Sequence, residues 1–203
     1  MPKPISLLDV PRGTMERLEH YVALLLKWQR SINLISNADA TLIWERHIVD
    51  AHQLLPIVLG HRPSHIIDIG SGGGIPGIVL AILHDTPITL VESDRRKIAF
   101  LETVCAELNL FHVKLLCQRI EDVEIQKPDI ITARGCASID QMLQWIETIM
   151  CPTTICVFPK GKTYAMELEE AQHHWQFDYV AHVSETDTNA RILELCNIHR
   201  RAS

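Results

Sequence analysis

Aromatic side chains make up 5% of the 203 residues. Trp28, Trp44 and Phe100 fall on helical apolar stripes, so no platform for stacking bases is signalled. Six cysteines, Cys105, Cys117, Cys136, Cys151, Cys156 and Cys196, include no C-x-x-C pair. That spacing signals neither a zinc cluster nor a disulfide framework, and buried free thiols are expected. Eleven histidines include no H-E-x-x-H and no other tight ligand spacing, so no metal is expected and His173-His174 reads as a solvated helix end. No apolar run approaches the ~20 residues that cross a bilayer, and MPKPISLLDVPRG lacks the apolar region of a signal peptide. A cytoplasmic protein with no membrane partner is expected. Surplus basic charge is also missing: a net charge of −6 argues against a general nucleic-acid coat but leaves room for a local basic patch.

What is present is an ordinary globular composition, 47% hydrophobic and 22% charged, in a length that suits one domain with a modest extension. Residues 1–62 read as a helical extension packed on a core of residues 63–203. Leu18, Tyr21, Val22, Leu25 and Trp28 recur at helical spacing, and TLIWERHIVDAHQLL repeats the pattern through Leu42 or Trp44, Ile48, Ala51 and Leu55. Asn37 and Asp39 between them are candidate N-caps. After Arg62-Pro63 short β-branched runs alternate with helical ones. Strands are expected at 65–69, 88–92, 113–117, 129–133 and 154–158. Helices are expected near Pro76 to Leu83, Arg95 to Asn109, Ser138 to Met150 and Thr163 to His174. Such alternation means a mostly parallel sheet covered on both faces. FDYVAHVSE and ARILELCNI have no helix between them, which suggests an antiparallel hairpin finishing the sheet.

The run GSGGGIPG, Gly70 to Gly77, follows the first strand of that core. Glycine clusters where the backbone takes positive φ or passes close to another group, and the first strand-to-helix turn of an open α/β sheet is where ligands sit. A Walker loop would end in G-K-[ST], and this one ends Ile75-Pro76-Gly77. A dinucleotide loop, G-x-G-x-x-G, would need glycine at Ile75. A tight turn that merely packs the first helix would need one glycine or two and would not require Asp68 before the loop or Glu92 at the end of the next strand. Asp68-x-Gly70-x-Gly72-x-Gly74 resembles motif I of the class I S-adenosylmethionine-dependent methyltransferases. Bare backbone would accept the adenosine and methionine, and Glu92 would accept the ribose hydroxyls.

No Pro-Cys nucleophile of the cytosine-C5 type is present, and no [DN]-P-P-[YF] stretch follows the fourth strand, where the sequence reads ITARGCAS. An acceptor that carries no proton, such as guanine N7, would need no general base. The blocks KWQRSINLIS, ERHIVDAHQLLP, IIDIGSGGGIPGIVLAI, LVESDRRKIAFLETVCAEL, QRIEDV, ITARGCASI and FPKGK resemble, in order and over nearly the whole chain, the small-subunit ribosomal RNA guanine-N7 methyltransferase family, also called glucose-inhibited division protein B.

The resemblance implies a Rossmann-like class I methyltransferase core: a mostly parallel seven-stranded sheet with an antiparallel C-terminal strand. It implies methyl transfer from S-adenosylmethionine to N7 of one guanine in the decoding-region hairpin of 16S ribosomal RNA, presented as naked RNA or as a small subunit. A non-catalytic assembly factor and a nicotinamide-dependent oxidoreductase are the alternatives. Cofactor contacts are expected at Asp68, Gly70, Ser71, Gly72, Gly74, Ile75, Glu92, Ser93, Ile120, Glu121 and Arg134.

Catalysis is expected by positioning, with Arg119 and Arg134 as candidates and no acid or base. A cation beside a sulfonium is unfavourable, so Arg134 would anchor the methionine carboxylate or an RNA phosphate. Arg119 could bind phosphate or pair with Glu121 or Asp122. Arg95, Arg96, Lys97, Arg119, Lys160 and Lys162 share one sheet edge and are the RNA-binding candidates. The family usually has lysine at the place of Arg96 and alanine at that of Gly135. Asn33-Leu34 and the trio Arg46, His47 and Asp50 also match family blocks. At helical spacing the trio shares a face, as a local ion pair or as a cover over the site. A monomer is expected, and the acidic charge predicts weak, salt-sensitive binding to naked RNA.

Overall fold

The computed structural model describes residues 9–36 and 42–201. The proposed caps Asn37 and Asp39 lie outside them. Helix α1, Arg12–Trp28, buries Leu18, Tyr21, Val22, Leu24 and Leu25 along one stripe. The second expected helix is interrupted. A π-helical run, Trp44–Val49, leads into the short α2, Asp50–His52, and then α3, Leu54–Gly60. The break has a local cause: Pro56 has no N–H for the His52 carbonyl, and its ring crowds that carbonyl, so regular winding stops near Gln53.

The core follows as β1 Ile66–Ile69, α4 Gly77–Leu83, β2 Ile88–Glu92, α5 Arg95–Glu107, β3 Val113–Cys117, a 3-10 turn Ile120–Asp122, β4 Ile130–Ala133, α6 Ile139–Ile146, β5 Ile155–Lys160, α7 Tyr164–His174, β6 Trp175–Val183 and β7 Arg191–Arg200. Asp94 caps α5 by accepting from the Arg96 amide at 2.8 Å. The helix stops short of Asn109, which takes φ of +53°. Pro76, the first residue of the expected helix, sits at the cap position, and α4 begins one residue later at Gly77.

Seven strands form one sheet in the order β3-β2-β1-β4-β5-β7-β6. The first five run parallel, and β7 is antiparallel to both β5 and β6. The expected hairpin therefore closes the sheet. β1, β2 and β4 are buried at every position, as β-branched strands covered on both faces require.

Strand alternation divides two apolar layers. Ile66 and Ile130 face one side with α4 and α5, while Ile67, Ile69 and Ile131 face the other with α6 and α7. Leu18, Tyr21, Leu25, Ile48, Leu54 and Val58 join the first layer, beside Ile78 and Leu101. The N-terminal helices thus complete that face of the sheet. Their contacts bring α1 beside the glycine loop and the π-helical run beside the end of β4.

Candidate active site

The loop after β1 turns through residues that only glycine occupies without strain. Gly74 takes φ of +87°, with Gly70 and Gly72 also in the left-handed region. Gly73 serves a different need, close approach. A Cβ there would stand 3.0 Å from Leu25 Cδ1 and 3.3 Å from the Leu34 carbonyl oxygen. The Tyr21 hydroxyl also donates to the Gly73 carbonyl at 2.5 Å. Ser71 ties the loop to both neighbours: its amide donates to the Val91 carbonyl at 3.1 Å and its hydroxyl to the Asp68 carbonyl at 2.9 Å.

Asp68 lies beneath the loop, fully buried on the α4 side of β1. Its register partner on β4 is Thr132, whose hydroxyl donates to Asp68 Oδ1 at 2.8 Å. Oδ2 has no hydrogen-bond partner of full geometry. Burial pushes the carboxyl up to about 6, against the opposing pull of the Ser71 and Thr132 hydroxyls, the Gly77 amide and the Arg134 charge. The carboxylate sits behind the glycine turn as a buried structural charge.

Above the loop a cavity of about 160 Å³ is walled by Ile69, Gly70, Val91, Glu92, Ser93, Gln118, Arg119, Ile120, Glu121, Cys136 and Trp145. Three successive strand ends thus converge on it. Glu92 Oε2 accepts from the Gly72 amide at 3.0 Å and Oε1 from the Asp94 amide at 2.8 Å. These bonds fix the carboxylate in the wall, and each oxygen retains a lone pair for another donor. Lys97 stands 3.8 Å from Glu92.

Ile120 and Glu121 stand on the 3-10 turn, with Ile120 buried and Glu121 exposed. Exposed Arg119 caps that turn. Neither of the ion pairs considered for Arg119 forms: among the described residues no bridge joins it to Glu121 or Asp122. Glycines for close approach, apolar Ile69 and Ile120 walls, and a pinned carboxylate suit a nucleoside with a vicinal diol, so the residues present fit S-adenosylmethionine. Gln118, Cys136 and Trp145 carried no sequence signal as wall residues. They meet because helix α6 after β4 packs against the 3-10 turn after β3, and burial pushes the Cys136 thiol up.

A second cavity, about 440 Å³, lies on the other side of the Arg134-to-Cys136 turn. Arg134 is only partly exposed and held from the N-terminal side. One of its nitrogens donates to the Arg46 carbonyl at 2.6 Å and stands 3.6 Å from Asp50, while the other donates to His47 Nδ1. Asp50 accepts in turn from the Thr186 hydroxyl, and Gln53 accepts from the Glu185 amide at 2.6 Å. Arg46, His47 and Asp50, expected as a local ion pair or as a cover over the site, make long-range contacts to Arg134, Thr186 and Asp187. The π-helical winding directs Arg46, His47 and Asp50 toward β4 and the β6–β7 turn. Gly135, with φ of +65°, occupies the wall beside Arg134.

Of the RNA-binding candidates, Lys160 departs from expectation. It is 8% exposed, donates to the Ala137 carbonyl at 2.6 Å and pairs with Glu167 at 2.9 Å. It fastens α7 to the loop after β4. Arg96 pairs with Asp94 at 3.2 Å within its own turn and stays highly exposed. Arg95 and Lys162 are exposed. Among the described residues no cluster of three metal-ligating side chains occurs, and no helix is long and apolar enough to cross a membrane. A cavity of about 500 Å³ near Arg17, His20, Glu107 and His112 lies at the opposite edge of the sheet, away from the glycine loop.

Comparison with solved structures supports the fold. An O-methyltransferase from Bacillus cereus, in complex with SAH, superposes with a TM-score of 0.60 at 13% identity, over 95% of this chain and 94% of that one. The O-methyltransferase TomG from Streptomyces achromogenes gives 0.59 at 14% identity, over 93% and 91%. Sequence relatives are closer. The ribosomal RNA small subunit methyltransferase G of Bartonella quintana is 45% identical over 195 residues, 93% of this chain and 89% of its own. That of Cereibacter sphaeroides is 40% identical over 196 residues, 94% of each. The family model described as GidB, rRNA small subunit methyltransferase G, matches residues 14–196. With the glycine turn, the seven-stranded order and matches of this extent in agreement, the chain belongs to the rRNA small subunit methyltransferase G family.

Proposed function

We propose that the protein transfers a methyl group from S-adenosylmethionine to N7 of one guanine in 16S ribosomal RNA. The observation that carries the reading is the first cavity, where Glu92 is pinned by two backbone amides against the glycine turn. Asp68 supports the turn from below, and Gly70, Ser71, Gly72, Gly74 and Ile75 form the cradle. Glu92 and Ser93 hold the ribose, with Ile120 and Glu121 beside the adenine. Arg134, on the wall of the second cavity, would hold the methionine carboxylate from there, its guanidinium oriented by the Arg46 carbonyl, His47 and Asp50. When bound, the cofactor supplies a sulfonium methyl that passes to the N7 lone pair while the sulphur keeps the electrons of the broken bond.

No proton moves in that exchange, so the side chains of this protein orient and exclude water instead of acting as acid or base. Near-attack alignment alone supplies on the order of 7–11 kcal/mol. Arg95, Arg96, Lys97, Arg119 and Lys162 meet phosphates around the mouth, and Lys160 is reserved for the fold. Residues 1–62 serve as an extension of the core of residues 63–203, and the protein works as a cytoplasmic monomer. A nicotinamide enzyme and a non-catalytic assembly factor are the less favoured readings, since the relatives of this chain are named methyltransferases.

The test is the 16S rRNA of cells lacking the protein. It should lose 7-methylguanosine at one position and regain it on complementation. Full retention of that nucleoside would overturn the reading.

A further inference from the structure

The second cavity has an outer wall that no cofactor contact explains. Its inner wall is Arg134 and Gly135, and its outer wall carries Arg46 and Asp187. Two carboxylates line it, and they are differently committed. Asp50 is engaged by the Thr186 hydroxyl, by Gln53 at 3.4 Å and by Arg134 at 3.6 Å. Asp187, on the β6–β7 turn, accepts from the Asn189 amide through Oδ1 at 2.9 Å. Its Oδ2 stands 3.9 Å from Arg46, with both side chains partly exposed. That separation is an ion pair beyond hydrogen-bond length. A half-exposed carboxylate and a guanidinium side by side at the mouth of a cavity of about 440 Å³ form one acceptor group and one donor group.

We propose that Asp187 and Arg46 read the target base, and thereby decide that the acceptor is guanine. Resting on the reading above, the inference assigns the residues of the acceptor site. The Watson–Crick edge of guanine presents two adjacent donors, N1–H and the 2-amino group, which a carboxylate accepts together. O6 next to them is an acceptor for Arg46. Adenine reverses this pattern: its N1 is an acceptor, which Asp187 repels, and it has no 2-amino group. N7 lies on the side of the purine away from N1 and the 2-amino group. A base gripped at the outer wall therefore turns N7 inward, toward the Arg134-to-Cys136 turn that separates the two cavities.

The test uses small subunits from cells lacking the protein, and subunits rebuilt with inosine, which lacks the 2-amino group, at the target position. Steady-state methyl transfer is measured for the wild-type chain, D187N and D187A, beside S-adenosylmethionine affinity by calorimetry. Both variants should lose about 10- to 100-fold in kcat/KM on guanine subunits, the range for a two-bond base contact, with unchanged cofactor affinity and melting temperature. The wild type should prefer guanine to inosine, and D187A should treat them alike. D187A with wild-type kcat/KM, or with an unchanged guanine-to-inosine ratio, would overturn the assignment while leaving the parent reading standing. No transfer by the wild-type chain would overturn both.

Discussion

The two cavities at the carboxyl edge of the sheet are built in different ways. The first is made from consecutive strand ends: the turn after β1, Glu92 at the end of β2 and Ile120-Glu121 beyond β3, with Cys136 and Trp145 closing it. The second draws on the π-helical run, the end of β4, the end of β5 and the β6–β7 turn. One is a property of the sheet, which a methyltransferase core needs whatever its acceptor. The other depends on the N-terminal helices packing on that sheet, and Arg134 on its wall links it to the first.

Substitutions should separate the two. The largest effect is expected for Glu92→Ala, which removes a carboxylate placed for two hydroxyl donors. Charge-assisted bonds contribute ~1.5–3 kcal/mol each, so cofactor affinity should fall on the order of 100-fold or more by calorimetric titration. A change under about fivefold would remove Glu92 from the cofactor wall.

Next is Asp68, whose folded value, raised from 3.8 to about 6, makes ionisation unfavourable in the native state. Its contribution to stability is complete below the unfolded value and is lost as pH rises through about 6, amounting to roughly 3 kcal/mol at 1.36 kcal/mol per unit. Asp68→Asn should lack this loss, so denaturant melts should show the variant gaining on the wild type between about pH 4 and pH 7. Parallel stability profiles would show that the buried carboxyl titrates normally.

Thr186→Val sharpens the contrast from the other side. It takes the hydroxyl donor from Asp50 and should cost about 1–2 kcal/mol of stability. Because Asp50 also stands beside Arg134, transfer to small subunits should slow several-fold with a smaller loss of cofactor affinity. A loss of cofactor affinity as large as the loss of transfer would mean that Asp50 acts mainly through Arg134 and the cofactor. The smallest effect belongs to Tyr21→Phe, where α1 meets the glycine loop. Loss of one buried hydrogen bond to Gly73 should cost about 1 kcal/mol in a thermal melt.

The same division decides what could be read from the chain. Strands β2 and β3 appear at their expected residues, because Ile88-Thr-Leu-Val-Glu and Val113-Lys-Leu-Leu-Cys are β-branched or apolar runs bounded by turns. The glycine loop was equally legible, since positive φ at Gly74 is a local demand with a local sequence answer. The position of Lys160 at a strand end suits a phosphate contact on sequence grounds. Only the tertiary structure shows Ala137 and Glu167 taking its ammonium group. Asp50 and Thr186 are 136 residues apart, and no spacing rule joins them. The helical period through Trp44 and Ile48 was visible, but the π-helical winding that turns His47 and Asp50 inward was not, because the same apolar spacing suits ordinary helix.

The most direct measurement of the central claim is transfer of a labelled methyl group from S-adenosylmethionine to small subunits from cells lacking the protein, followed by nucleoside analysis. The account predicts the label as 7-methylguanosine at a single 16S position. Label on any other nucleoside, or none on RNA while the cofactor still binds, would contradict it.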